Sequence, residues 1–179
     1  MDQISLEERQ ATGIAKAPFV CQFVRALLEN GERVLLFAHH HAVMDIYRQE
    51  LHAFSPAFIT GRESGAQKEE AAARFMQGQT NLCCVSLRAA SGLNLQRASC
   101  VVFGELDWSP AVHSQAEDRA HRIGQKHKVT VIRMITRGSI EEQVVKLGAR
   151  KREMFDQMIT AGEAMPTQLT PEDIRALFD

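Results

Sequence analysis

The stretch richest in chemistry is QAEDRAHRIGQ, Gln115 to Gln125. Read as a helix, it sorts onto two faces. Gln115, Asp118, Arg119 and Arg122 follow at i, i+3, i+4 and i+7, a polar stripe ending in two guanidinium groups. Val112, Ala116, Ala120 and Ile123 follow at i, i+4, i+8 and i+11, a stripe of small and apolar side chains suited to lying on a sheet. Gly124 supplies a stop. Two arginines one turn apart offer two fixed donor forks to a single anion, which suits the charge developing on a transferring phosphoryl group. Alone, such a pair is ordinarily a solvated helix face. The surrounding chain decides between the two readings.

The elements that must position this stripe alternate. Apolar runs read as strands at RVLLFA (33–38), around Phe58 and Ile59, at Asn81–Ser86, at SCVVFG (99–104) and at Val129–Ile135. Between them lie helical patterns. Pro18 opens one through Asn30, with Phe19, Phe23, Ala26 and Leu27 on one side and Gly31 as its stop. His39–His41 open another that runs to about Ala53, and the loop RESG (62–65) leads into a third with Ala71, Ala72, Phe75 and Met76. ELDWSP (105–110) turns into the arginine helix, with Trp108 read as a packing anchor. Ser139 and Glu142 read as a capping box starting a long helix to about Ala161, and Thr170-Pro171 caps a last short one. The expected fold is α/β: a doubly wound parallel sheet flanked by helices, with a C-terminal helical extension. Its division is a lead-in (1–17), one lobe (18–161), and a connector with a short docking helix (162–179). Such sheets bind ligands on the loops after their strands. HHH, TGRESG, RAASG and ELDWSP all occupy that place.

Composition narrows the class. With 45% hydrophobic and 24% charged residues in 179, the chain reads as one soluble globular domain. No apolar run approaches the ~18 residues of a membrane span, and the N-terminus resembles no signal or transit peptide, which predicts an intracellular protein, in nucleoid or nucleus according to its source. Cys83 and Cys84 are adjacent while Cys21 and Cys100 stand alone, so no C-x-x-C spacing exists and buried thiols are expected. Charge is unevenly divided. Residues 119–152 hold 10 basic and 2 acidic groups, net +8, between two acidic segments, the footprint of a surface that meets polyphosphate.

An autonomous nucleotide site is absent from this sequence. There is no G-x-x-x-x-G-K-[ST] and no acidic pair after a strand to hold Mg²⁺. Two arginines suited to a phosphoryl transition state, without a loop to cradle the phosphates, imply a shared site with the nucleotide held by another body. The three histidines raise zinc, but no acidic or cysteine partner sits at ligand spacing, so no metal site is assigned. A strand-end loop that contacts phosphates or caps the next helix fits them better.

QAEDRAHRIGQ, preceded by ELDWSP and SLRAASGLNLQRASCVVF, resembles the C-terminal RecA-like lobe of the SWI/SNF-related helicase-like ATPases, in a form closest to annealing-helicase and bacterial members. RVLLFAHHHAVM, FITG, RMITRGSIEEQV and TPEDIRALF extend the match over nearly the whole chain. The resemblance implies that Gln115, Arg119 and Arg122 belong to the last helicase motif, the arginines acting as fingers on the γ-phosphate. Asp118 stands where many related helicases have Gly. Gly92 and Asn94 match the motif linking nucleotide state to DNA grip. Ser86, Arg88, Thr60 and Gly61, with Arg62 and His40 on the same loops, fall among the contacts to the tracked DNA strand. AASGLNL departs from the family pattern: it is one residue short and keeps only Gly92, which should shift the loop's amides.

The function implied is the second motor lobe of an ATP-dependent duplex DNA translocase. It would share ATP and Mg²⁺ with an N-terminal RecA-like lobe, in the same longer chain or a separate protein, and would be inactive alone. Two readings stand beside it: a free-standing nucleic-acid-binding module using the basic segment, and a metal-dependent hydrolase built on the histidines.

Overall fold

A computed structural model describes residues 3–89, 92–107, 109–120, 128–146 and 149–150. In chain order come helix α1 (Gln3–Glu29), strand β1 (Val34–Ala38), helix α2 (His41–Glu50) with a 3₁₀ turn at His52–Phe54, β2 (Ala57–Ile59), α3 (Gly65–Met76), β3 (Leu82–Ser86), β4 (Cys100–Phe103), α4 (Pro110–Ala120) and β5 (Thr130–Arg133). A further helix, α5, covers 140–146. The strands form one all-parallel sheet in the order β2-β3-β1-β4-β5. No helix among the described residues is long and apolar enough to cross a membrane.

The continuous apolar strands are explained by cover on both faces. Every residue of β1, β2, β3 and β4 is buried. Leu35, Phe37, Cys83, Val85, Val101 and Phe103 pack with Ala71, Ala72 and Phe75 of α3 and Ala116 and Ala120 of α4. The alternate residues Val34, Leu36, Leu82, Cys84, Cys100 and Val102 pack with α1 and α2. Connections moving one way along the sheet therefore run on one face and the return on the other, as right-handed crossovers require. All four cysteines are free and buried, and burial pushes the Cys21 and Cys83 thiols up to about 12.

The sequence expectation differs from the structure at helix ends and faces. α1 starts at Gln3 and passes through Pro18, so residues 3–17 are helical. Pro18 has no N–H to offer the Ile14 carbonyl, and Ile14 lies on the exposed side of the helix. The buried stripe is Ala17, Val20, Cys21, Val24 and Leu28, whereas Phe19 is 67% exposed. Ser139 Oγ accepts from Glu141 N at 3.2 Å, and Glu141, rather than Glu142, reaches back to Thr136 N at 2.9 Å. A capping box is formed instead at α3, by Ser64 and Gln67. The expected course of the long helix to Ala161 and the short one after Pro171 lie outside the described residues, as does Trp108.

Buried charges hold the first half of α1. Arg9 Nη2 donates to the Leu106 carbonyl at 2.5 Å. Lys16 Nζ pairs with the Glu141 carboxylate and donates to the Met134 carbonyl at 2.7 Å; burial pulls its pKa down, with Glu141 opposing. Gly13 lies against Glu105, and a Cβ there would stand 2.4 Å from Glu105 Oε1. Glu105 itself is 4% exposed. Its Oε2 accepts from the backbone amides of His39 (2.8 Å) and His40 (2.9 Å), and its Oε1 meets His40 Nδ1 at 2.6 Å. Burial alone would raise this carboxyl; the hydrogen bonds from His40 and His39 outweigh it and hold the pKa below the ordinary value. The carboxylate also faces the N-terminus of α2, whose N-cap residue makes no side-chain cap of its own.

Three outcomes should follow. A Cβ at Gly104 would fall 2.0 Å from the hydroxyl of fully buried Tyr47, which has no hydrogen-bond partner. Gly104→Ala should therefore cost about 1–3 kcal/mol in urea unfolding, Tyr47→Phe should be near neutral, and the double variant should recover part of the loss. Lys16→Met, leaving Glu141 buried without its partner, should cost about 3–5 kcal/mol, and Lys16→Met with Glu141→Leu distinctly less. Because Glu105 has a lowered folded pKa, its charge contributes stability that is present above the ordinary value of 4.5 and lost as pH falls toward the folded value. The stability gap between wild type and Glu105→Gln should be full at about pH 6 and shrink below about pH 4.5. A gap independent of pH would show that the charge is immaterial.

Candidate nucleotide and nucleic-acid surfaces

The loops after β1, β2, β3 and β4 gather at the carboxyl edge of the sheet. The chain leaves β1 toward one face and β4 toward the other, so these adjacent strands flank the switch point where such sheets have their crevice. Here the Glu105–His40 pair fills it. His40 is 14% exposed at its side chain and its Nδ1 is committed to Glu105, so its Nε2 is the ring atom left to meet a ligand. His39 stacks edge-on against it at 4.7 Å. Its Nδ1 is buried without a partner, and burial, then the charge of Arg9, holds the imidazole below its ordinary range.

The other predicted strand-end residues share this edge. Thr60 is buried, and its backbone N–H and hydroxyl donate to Glu63, at 2.6 Å and 3.1 Å. Gly61 follows at φ +95°, where a side chain would be strained. Arg62 is exposed and holds Asp45 through its two terminal guanidinium nitrogens, Nη1 and Nη2. Ser86 is buried at the end of β3, and its carbonyl accepts from Ala89 N at 2.9 Å. Arg88, two residues on, is exposed.

Gln115, Asp118 and Arg119 lie elsewhere. α4 starts beyond the carboxyl end of β4 and runs back along the sheet. Near its end the Arg119 carbonyl accepts from Leu95 N at 3.1 Å. Leu95 in turn leads into the entry of β4, where Ser99 N and Cys100 N donate to the Arg33 carbonyl just before β1. The described part of the stripe, as far as Arg119, therefore runs toward the amino edge and away from the carboxyl edge where the strand-end loops gather. Gln115 and Asp118 are exposed. Arg119 is half-buried, makes no ion pair among the described residues, and its Nε is buried without a hydrogen-bond partner. Arg122 lies outside the described residues.

Gly92 and Asn94 sit on the segment that crosses between the two edges. Gly92 is exposed at φ +82° with nothing near its missing Cβ, so backbone conformation, not space, calls for glycine. Asn94 Oδ1 accepts from Gln96 N at 3.3 Å. Arg97 fixes the far end: its guanidinium donates to the carbonyls of Phe75 and Thr80 at 3.2 Å and to Asn81 Oδ1 at 2.8 Å. Sequence spacing missed Arg97 and Glu105, whose partners lie far along the chain. An acidic residue directly after an apolar strand was the one available signal for Glu105. Among the described residues no three of His, Cys, Asp and Glu could together hold a metal ion.

Comparison with known proteins agrees with this arrangement. The family model of the helicase conserved C-terminal domain matches residues 15–124. The chain is 35% identical over 160 residues to the chromatin-remodeling ATPase INO80 of Neurospora crassa, covering 87% of this chain and 8% of that protein. It is 39% identical over 135 residues to the SWI/SNF-related matrix-associated actin-dependent regulator of chromatin subfamily A-like protein 1 of Bos taurus, covering 73% of this chain and 14% of that one. It thus spans only a small part of the curated relatives it matches. Among solved structures, the C-terminal part of the Fun30 ATPase domain superposes with a TM-score of 0.66 at 27% identity, over 74% of this chain and 45% of that one. With its parallel five-stranded sheet and flanking helices, the chain belongs to the helicase conserved C-terminal domain family, as the RecA-like C-terminal lobe of SWI/SNF-related ATPases.

Proposed function

We propose that this lobe is the second half of a DNA-tracking motor. A partner lobe, in the same longer chain or a separate one, holds ATP and Mg²⁺; this lobe brings Arg119 and Arg122 to the γ-phosphate, with Gln115 and Asp118 on the same stripe. Bound ATP supplies a phosphoryl group whose transfer to water concentrates negative charge on its oxygens. The residues present fit that task. The observation that carries the reading is Arg119: a guanidinium on a helix face, with no ion pair among the described residues and its Nε left without a partner.

The Leu95–Arg119 hydrogen bond supports the rest. It ties the arginine helix to the segment carrying Gly92 and Asn94, which begins beside Ser86 and Arg88 at the opposite edge. A shift of α4 against the nucleotide would move that segment, and with it the carboxyl-edge loops of Thr60, Gly61, Arg62, Ser86, Arg88 and His40, which we assign to the backbone of one strand of duplex DNA. The relatives are named as chromatin-remodelling ATPases, which supports ATP as the nucleotide.

The isolated chain should turn over ATP negligibly. In the joined lobes, Arg119→Ala or Arg122→Ala should lower DNA-stimulated turnover by about 10³–10⁵-fold. Near-normal turnover in both variants would overturn the assignment. Duplex binding by the isolated chain as tight as by the joined lobes, with steep salt dependence, would favour a stand-alone binding module instead.

A further inference from the structure

The loop between β2 and α3 carries its own anion in the place where a ligand anion would sit. The backbone amides of Thr60 (2.6 Å) and Gly61 (3.2 Å) converge on one oxygen, Glu63 Oε2, and the Thr60 hydroxyl lies 3.1 Å from each oxygen of the same carboxylate. Successive amides aimed at one anion form a concave nest of the kind that also takes phosphate. The neighbouring cation is filled in the same way. Arg62 Nη1 meets Asp45 Oδ1 at 2.6 Å and Nη2 meets Oδ2 at 3.2 Å, the two-pronged geometry with which arginine also holds a phosphate. α3 does not draw on Glu63 for its own start, because Ser64 and Gln67 satisfy its first turn reciprocally.

We propose that Glu63 and Asp45 are placeholder carboxylates for DNA backbone phosphates, and that these two acidic residues set the affinity of this loop for duplex DNA. On engagement a phosphate oxygen replaces Glu63 on the Thr60–Gly61 amides, and Arg62 exchanges Asp45 for a phosphate. Charge and acceptor number are retained in both exchanges. The Arg62–Asp45 pair is about half exposed (49% and 52%), so releasing it costs little. When the DNA leaves, the carboxylates return and no buried donor stays bare, which a surface that grips and lets go repeatedly requires. Thr60, with its 4% exposure, is the donor that would otherwise be stranded. This inference rests on the reading that the loop meets DNA.

The test uses the isotope-labelled 179-residue chain and a duplex of about 20 base pairs, following the Thr60 and Gly61 amide signals and the dissociation constant at fixed salt. Glu63→Gln and Asp45→Asn should each tighten binding by about threefold to tenfold, whereas Glu70→Gln, which removes the same charge from an exposed site on α3, should change it less than about twofold. Arg62→Ala should weaken it. If Glu63→Gln and Asp45→Asn act no more strongly than Glu70→Gln while Arg62→Ala still weakens binding, the loop meets DNA but the carboxylates hold no place for it. Weaker binding by Glu63→Gln would make Glu63 a shaping residue and overturn the proposal equally. If Arg62→Ala changes nothing and the two amides do not respond to DNA, the underlying reading of the loop fails.

Discussion

Burying a carboxylate at 4% exposure is unfavourable unless donors surround it, and Glu105 finds three, all from the loop that leaves β1. Much of the surrounding structure follows from that one requirement. α1 can approach only where it offers no side chain, at Gly13. α2 starts where the loop's amides have turned toward the carboxylate. The segment after β4 must stay close enough for the Leu106 carbonyl to receive Arg9. A crevice that many sheets of this topology leave open to ligands is thereby closed from within, and polar chemistry moves to the flanks.

Those flanks are two separate surfaces. One collects the strand-end loops of Thr60 to Ser64 and Ser86 to Arg88; the other is reached by the last turn of α4. Their link is a single crossing segment, anchored at one end by the short turn after Ser86 and at the other by Leu95 and Arg97. In the proposed motor this geometry lets a rearrangement at the nucleotide reach the DNA surface through backbone contacts, with no need for the sheet to deform.

The sheet was legible in the sequence because strands buried on both faces leave continuous apolar runs, and four of the five strands are of that kind. The small-residue stripe of Ala116 and Ala120 was legible for the same reason, since helix periodicity fixes which positions face the sheet. α1 was not. Its large aromatic Phe19 suggested the core side, yet burial follows the smaller Ala17, Val20, Cys21 and Val24, because tight packing onto β1 and α2 favours small side chains there. Pro18 read as a beginning because local propensity says so; Arg9 and Lys16, bound to partners far along the chain, carry the helix past it. Motif spacing located the stripe of Gln115, Asp118 and Arg119, but which edge of the sheet it approaches depends on the direction of α4, a matter of topology that spacing does not record.

The strand order carries a consequence for how the chain comes into being. β1 occupies the centre of the sheet, yet the neighbours that hydrogen-bond to it are β3 and β4, ending at Ser86 and Phe103. β2, the next strand made, never touches it. During synthesis VLLFA must wait for both of its hydrogen-bonding neighbours, with α1 and α2 able to shade one face and only α3 available for the other. Pairings between such distant segments form slowly, and an uncovered apolar strand is prone to adhere to other chains in the interval. The nascent polypeptide is therefore most in need of chaperoning before β4 leaves the ribosome, and arrival of Cys100–Phe103 is the event that ends that exposure.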